Sequence, residues 1–203
     1  MPPLPNDTDL VQIVDAALTD AARRAGNWLV CRPGCTQCCY GAFAINQLDG
    51  QRLRTGMDAM RASDPARAAA VEDRARRWIE EFGGEFPGDR EAGLIGDSDE
   101  DRARFEEFAN DAACPALDPS TGLCDLYEAR PMTCRVFGPP VQMDAGEGAE
   151  GLGHCELCFA GATPEQVAAC EMSVPTEMEE GLVADLDRNG LRGDTVVAYT
   201  LVR

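Results

Sequence analysis

The chain is 203 residues long, enough for one domain with a real core, and its 44% hydrophobic and 27% charged residues are ordinary for a globular protein. A net charge of -18 gives a surface that repels phosphate backbones and anionic lipid, which argues against nucleic-acid and membrane partners. All 18 basic residues are arginine and His154 is the only histidine, so lysine Schiff-base chemistry and multi-histidine metal sites within one chain are excluded.

Residues 8–25 read as an amphipathic helix with Leu10, Val14, Ala17, Leu18, Ala21 and Ala25 on one face, capped by Asp7 or Thr8 and ended by Gly26. A cysteine-rich loop broken by Pro33 and Gly34 follows. A second helix is predicted over 47–60, carrying Leu48, Leu53, Met57 and Met60, although Gly50 and Gly56 disfavour it. Asp64-Pro65 is a cap followed by a first-turn proline, and it starts a third helix through Ala68, Val71, Ala75, Trp78, Ile79 and Phe82. Residues 85–97 read as loop, and Asp97 or Ser98 caps a fourth helix through Phe105 and Phe108. The turn-forming DPSTG then separates two short arms bearing Cys114 and Cys124, which predicts a small hairpin. Arg130-Pro131 opens a helical turn holding Cys134, and the Gly-, Pro- and acid-rich stretch 138–153 is expected as a loop. Thr163-Pro164 caps a helix with Val167 and Cys170, another helix spans 176–188, and the β-branched tail TVVAYTLV suggests a strand. The expected fold is mainly α: a single domain over 1–203, with an N-terminal helix in 1–30, a cysteine region with a helical insertion in 31–158, and C-terminal helices in 159–203.

The ten cysteines carry most of the functional information. Cys31, Cys35, Cys38 and Cys39 fall within nine residues; Cys114, Cys124 and Cys134 follow, then the pair Cys155 and Cys158. Thiols this dense are disulfides or metal ligands. The N-terminal stretch lacks a basic start and a long apolar run, so a cytoplasmic, reducing location is expected, and the cysteines read as ligands there. Thiolates select zinc or iron–sulfur over hard cations. A lone zinc needs four ligands, whereas nine candidates lie here in separate segments. Side chains of successive residues diverge, so Cys38 and Cys39 suit a centre with several metal atoms better than one ion. The leading expectation is therefore an iron–sulfur cluster of the four-iron type, with zinc, including two four-thiolate sites, as the alternative. Cys170 sits on an apolar helix face and reads as core packing, and His154 reads as solvated or as a hydrogen-bond partner behind the ligands. Arg130 and Arg135 flank Cys134 and either offset thiolate charge or pair with carboxylates.

Cys35-x2-Cys38-Cys39, then CPAL, then CDLYEARPMTCRVF resembles the YkgJ-like family of cysteine-cluster proteins, described as carrying a zinc- or iron-chelating domain. The resemblance spans Cys31 to Cys158, and its most specific block runs from Cys124 to Phe137. One departure is that three residues separate Cys31 from Cys35, where the family has two. The block spacing and the resemblance together imply one metal locus formed by Cys35, Cys38, Cys39, Cys114, Cys124 and Cys134, with Cys31, Cys155 and Cys158 nearby as further ligands. The resemblance settles no reaction, and the expected role of the bound centre is structural, redox or metal-handling, with an unidentified protein partner or substrate. Flagellin lysine N-methylases carry a related cysteine-rich domain, so an S-adenosylmethionine-dependent N-methyltransferase is the alternative by analogy.

Overall fold

The computed structural model describes residues 6–144 and 150–202. The first half of the chain forms α1 (Asp7–Ala25), α2 (Gln47–Ser63), α3 (Pro65–Phe82), β1 (Gly88–Asp89), β2 (Leu94–Ile95) and α4 (Asp99–Glu106). The second half forms β3 (Leu117–Asp118), β4 (Leu123–Cys124), α5 (Met132–Val136), β5 (Val141–Asp144), β6 (Glu150–Gly153), α6 (Pro164–Ala168), α7 (Thr176–Arg188) and α8 (Val197–Leu201). The fold is mainly α, as expected, and its strands pair two by two. The described residues fold as two units: 33–131 with 183–202, and 6–32 with the described part of 132–182.

The first unit is organised by α2 and α3. Asn46 caps α2 by accepting from the Asp49 N–H at 3.0 Å, and Asp64 caps α3 by accepting from the Arg67 N–H at 3.1 Å. Pro65 follows at the start of α3, where its missing N–H costs nothing. The buried faces of the two helices, including Leu53, Met57, Met60, Val71 and Ala75, form one core with Leu126, Val197 and Leu201. A neighbouring aromatic core sets Trp78 and Phe86 edge-on to Phe108 at 5.8 and 5.6 Å. Ser98 caps α4, which stops at Glu106, so Phe108 reaches this core from beyond the helix.

Two expectations for this unit are corrected. The tail is a helix rather than a strand: all five residues of α8 are buried against α2 and α3. A buried strand without neighbours would leave its backbone groups unpaired, and a helix satisfies them internally. Only Thr195 finds a strand-like partner, exchanging both backbone bonds with Ile45 at 2.8 and 2.9 Å. Residues 85–97 are not all loop, since β1 and β2 pair within them and the Thr195 hydroxyl donates to Gly93 O at 2.6 Å.

The second unit is built on α1, whose Leu10, Val14, Ala21 and Ala25 are buried as predicted. The expected cap from Asp7 or Thr8 is replaced by Asn6, in the left-handed region (φ 79), whose carbonyl accepts from Leu10 N–H. α5 lies against α1, and buried Arg135 donates from Nη1 to both Asp15 carboxylate oxygens at 2.8 Å. Stretch 138–153 was expected as loop but carries the β5–β6 hairpin, in register Val141↔Gly153 through Asp144↔Glu150. A Cβ on Gly153 would fall 2.0 Å from Met143 Sδ, the far end of an exposed side chain that can swing aside.

Gly56 gives a test of the first core. It lies inside α2, where alanine is normally better by about 1 kcal/mol. A Cβ there would stand 2.4 Å from Ala129 Cβ and 3.3 Å from Leu126 Cδ2. Overpacking outweighs propensity, and Gly56→Ala should destabilise by about 1–3 kcal/mol in urea unfolding. A gain in stability would show that this contact relaxes freely.

Candidate metal centre

The first cysteine block is held by backbone hydrogen bonds before any side chain is considered. Residues Gln37–Cys39 form a 3-10 turn closed by Cys39 N–H to Thr36 O at 2.8 Å. Cys39 O then accepts from Cys114 N–H at 2.7 Å, Tyr40 bridges Ala113, and Gly41 N–H donates to Ala112 O at 2.9 Å. This short antiparallel zipper sets Cys38 and Cys39 beside Cys114.

The predicted hairpin brings in Cys124. Leu117 in β3 pairs with Cys124 in β4. Asp118 shapes the turn by accepting from the Ser120 N–H, the Ser120 hydroxyl and the Thr121 hydroxyl at 2.8–2.9 Å. Those bonds hold its carboxyl down at about 2. Gly122 completes the turn at φ +70, and a Cβ on it would stand 3.6 Å from Gly34 Cα, so turn and cysteine loop touch.

Asp125 anchors this arrangement. Its carboxylate, 4% exposed, accepts from Arg67 Nε at 2.5 Å and from Arg74 Nη2, both on α3. Arg74 Nε also donates to Pro115 O at 2.8 Å. One helix face thus holds both arms of the hairpin next to their cysteines.

Four of the five cysteine sulfurs of this unit feel one another. The Cys39 thiol hydrogen-bonds to Cys38 and, with a smaller contribution from the Arg130 guanidinium, brings Cys38 down to about 6 against burial. Cys39 is correspondingly pushed up, because it keeps its proton for that bond. Burial raises Cys114 to about 12, helped by the charge of Cys124, although the backbone N–H groups of Ala116 and Leu117 point at its sulfur. Burial and Asp125 raise Cys124, opposed by the Leu126 N–H and by Arg130. Arg130 itself lies over the Tyr127 ring, 3.9 Å from its centroid, and donates to Tyr127 O. Cys35, half-buried, stands three residues before Cys38. Cys38 and Cys39, adjacent on the 3-10 turn, shift each other's protonation in opposite directions.

The remaining thiols lie in the other unit. Exposed Cys31 has its Sγ 4.0 Å from that of buried Cys158, and Cys155, Cys158 and Cys170 share a buried cluster with Ala25 and Phe159. Cys134 is half-buried in α5. His154 Nδ1 lies 3.0 Å from Cys155 O, with its ring 5.3 Å from that of Phe159. Arg135 is engaged by Asp15, so its role is an ion pair within the second unit. Among the described residues, no group of three or more Cys, His, Asp or Glu side chains is arranged to hold a metal ion as it stands. The donor chemistry nonetheless fits a soft metal, with clustered thiols, backbone N–H groups aimed at sulfur and a nearby guanidinium.

Residues 30–149, more than half of the chain, match the CxxCxxCC family model, described as a "Putative zinc- or iron-chelating domain". The chain belongs to the CxxCxxCC family. No curated protein and no solved structure matches it. No helix among the described residues is long and apolar enough to cross a membrane. The family match supports a metal-binding role and stops short of Cys155, Cys158 and Cys170.

Sequence reasoning missed the Asp125 clamp. Its signal was available: Arg67 and Arg74 are seven residues apart on one predicted helix face, and Asp125 follows a predicted ligand. Asp125→Asn should cost about 2–3 kcal/mol, near the lower end for breaking a buried ion pair, because it strands Arg74, whose side chain is only 17% exposed. Arg67→Ala, at a half-exposed position, should cost no more than about 1 kcal/mol. Equal losses in chemical unfolding would contradict this ordering.

Proposed function

We propose that this protein binds a soft metal through thiolates of its first unit, with Cys38, Cys39, Cys114 and Cys124 as ligands and Cys35 available as a fifth. The observation that carries the reading is the backbone zipper joining Cys39 to Cys114 and the hairpin carrying Cys124, which bring thiols from three separate segments into one unit. The described part of this unit contains no histidine, so a thiolate-only donor set is the natural one. Its role is structural, redox or metal-handling.

The first reading of the metal is an iron–sulfur cluster of the four-iron type. It rests on the all-thiolate donor set and on thiols in excess of one zinc. Zinc is the second reading, since four of these thiolates would complete one tetrahedral site. Either metal needs its ligands deprotonated. The Cys38–Cys39 pair is shifted toward holding one thiolate and one thiol, whereas Cys114, raised by burial, arrives as a thiol and must release its proton.

Anaerobic purification with iron and zinc analysis tests this directly. A cluster gives a brown protein with broad visible absorption that bleaches on reduction, and zinc gives a colourless one. Retention of neither metal after anaerobic reconstitution would reject the reading. Because raised thiols are protonated at neutral pH, affinity for added zinc should rise as pH goes from about 6 to 8, with protons released on binding. Calorimetry in two buffers of different ionisation enthalpy measures that release, and a pH-independent affinity without proton release would contradict it. Removing the metal should increase protease cleavage within 33–41 and 114–131 while much of the helical circular dichroism persists.

A further inference from the structure

The second unit has thiol chemistry of its own. The Cys31 and Cys158 sulfurs are 4.0 Å apart. That is too far for a disulfide bond of about 2.05 Å. It is close to the edge of a thiolate tetrahedron around zinc, about 3.8 Å for Zn–S bonds near 2.3 Å. Cys155 and Cys158 are joined by a tight turn, with the Cys158 N–H donating to Cys155 O at 2.9 Å. The two-residue spacing of this pair is ordinary for ligands of one ion.

Three further features hold these thiols in place. Gly138, at φ +126, passes so close to Cys31 that a Cβ would stand 2.9 Å from its sulfur, while its carbonyl accepts from Cys155 N–H at 3.2 Å. Phe159, directly after the pair, is buried and left-handed at φ 58, a conformation bulky residues rarely adopt. Its N–H is fixed by Trp28 O at 2.9 Å. Such an outlier persists only where its surroundings over-determine it, and it turns the chain sharply just behind Cys158. Cys170 belongs to the same buried cluster. Arg24 fixes the chain on both sides of Cys170, donating to Ala169 O at 2.5 Å and to Glu171 O at 2.7 Å.

We infer that Cys31, Cys155, Cys158 and Cys170 form a second site for a single thiophilic divalent ion of the zinc class. This changes the reading of Cys170 from core packing to ligand. The site lies within one unit and does not depend on the centre proposed for the other; three of its four thiols lie beyond the family match. A four-thiolate site of this kind holds together the end of α1, the turn at Gly138 and the segment after α6.

The test is a zinc count on the full chain, purified under reductant and loaded with zinc alone. Wild type should hold one zinc equivalent more than Cys31→Ser and more than the double variant Cys155→Ser/Cys158→Ser. The chain carrying Cys114→Ser and Cys124→Ser should keep that equivalent. Cys31 is exposed, so its serine variant is expected to fold even if the buried double variant does not. Zinc should also protect Cys31 and Cys158 from alkylation in the Cys114→Ser/Cys124→Ser chain. One equivalent lost in common by all three variants would mean a single shared centre and overturn the inference. So would zinc content that is unchanged in Cys31→Ser and in the Cys155→Ser/Cys158→Ser chain. Failure of the first-unit reading looks different: the Cys114→Ser/Cys124→Ser chain would then match wild type in every metal measurement.

Discussion

The first unit depends on one buried carboxylate. Asp125 sits between a metal-ligand candidate and a helix, and its two arginine partners come from the same face of α3. Without them a hairpin of two-residue strands has little to hold it, since such small sheets are marginal alone. With them, Cys114 and Cys124 inherit the rigidity of a helix pair that has its own apolar core. The helical insertion, which carries no cysteine, thereby acts as the scaffold for the cysteines that flank it. A charged clamp suits this task better than apolar contact, because the hairpin lies at the edge of the core and the carboxylate fixes its register through two directed bonds.

The same unit sets up an electrostatic tension. Burial makes thiolates expensive, and Cys114 and Cys124 are both pushed up by it. Directed groups push back: backbone N–H groups at Cys114 and Cys124, and the Arg130 guanidinium toward Cys38 and Cys124. In a chain of net charge -18, a cation beside the thiols matters, because the rest of the surface disfavours further negative charge. The balance leaves one sulfur ready as a thiolate and the others protonated. A bound cation would resolve that tension by replacing their protons.

The helices with caps were legible from the sequence because capping is local. Asp64 and Pro65 announce the start of α3 within two residues, and the DPSTG turn announces the hairpin in the same way. The tail was not legible, because what decides α8 is burial on every side against α2 and α3, a fact no residue in TVVAYTLV carries. Its β-branched residues express a preference that tertiary packing overrides. The β5–β6 pairing was hidden in a stretch whose glycines read as loop. At the candidate site, cysteine spacing names the candidate ligands. The backbone zipper from Cys39 to Cys114 was not legible, because it joins residues 75 positions apart.

The second unit shows why the family match does not mark a structural boundary. The match ends at residue 149, yet the segment beyond it is woven into the beginning of the chain. Phe159 N–H bonds to Trp28 O, Met172 N–H bonds to Pro140 O, and Arg24 reaches the carbonyls of Ala169 and Glu171. Ala25, Trp28 and Leu29 share their apolar cluster with Cys155, Cys158 and Cys170. If the chain stopped at the end of the match, α1 would keep its contact with α5 and lose these carbonyl acceptors and this cluster. Arg24 would face solvent, and Trp28 and Leu29 would lose their apolar cover. The segment just after the match is therefore part of what makes α1 fold where it does, and residues on both sides of the matched block enclose the thiols of this unit.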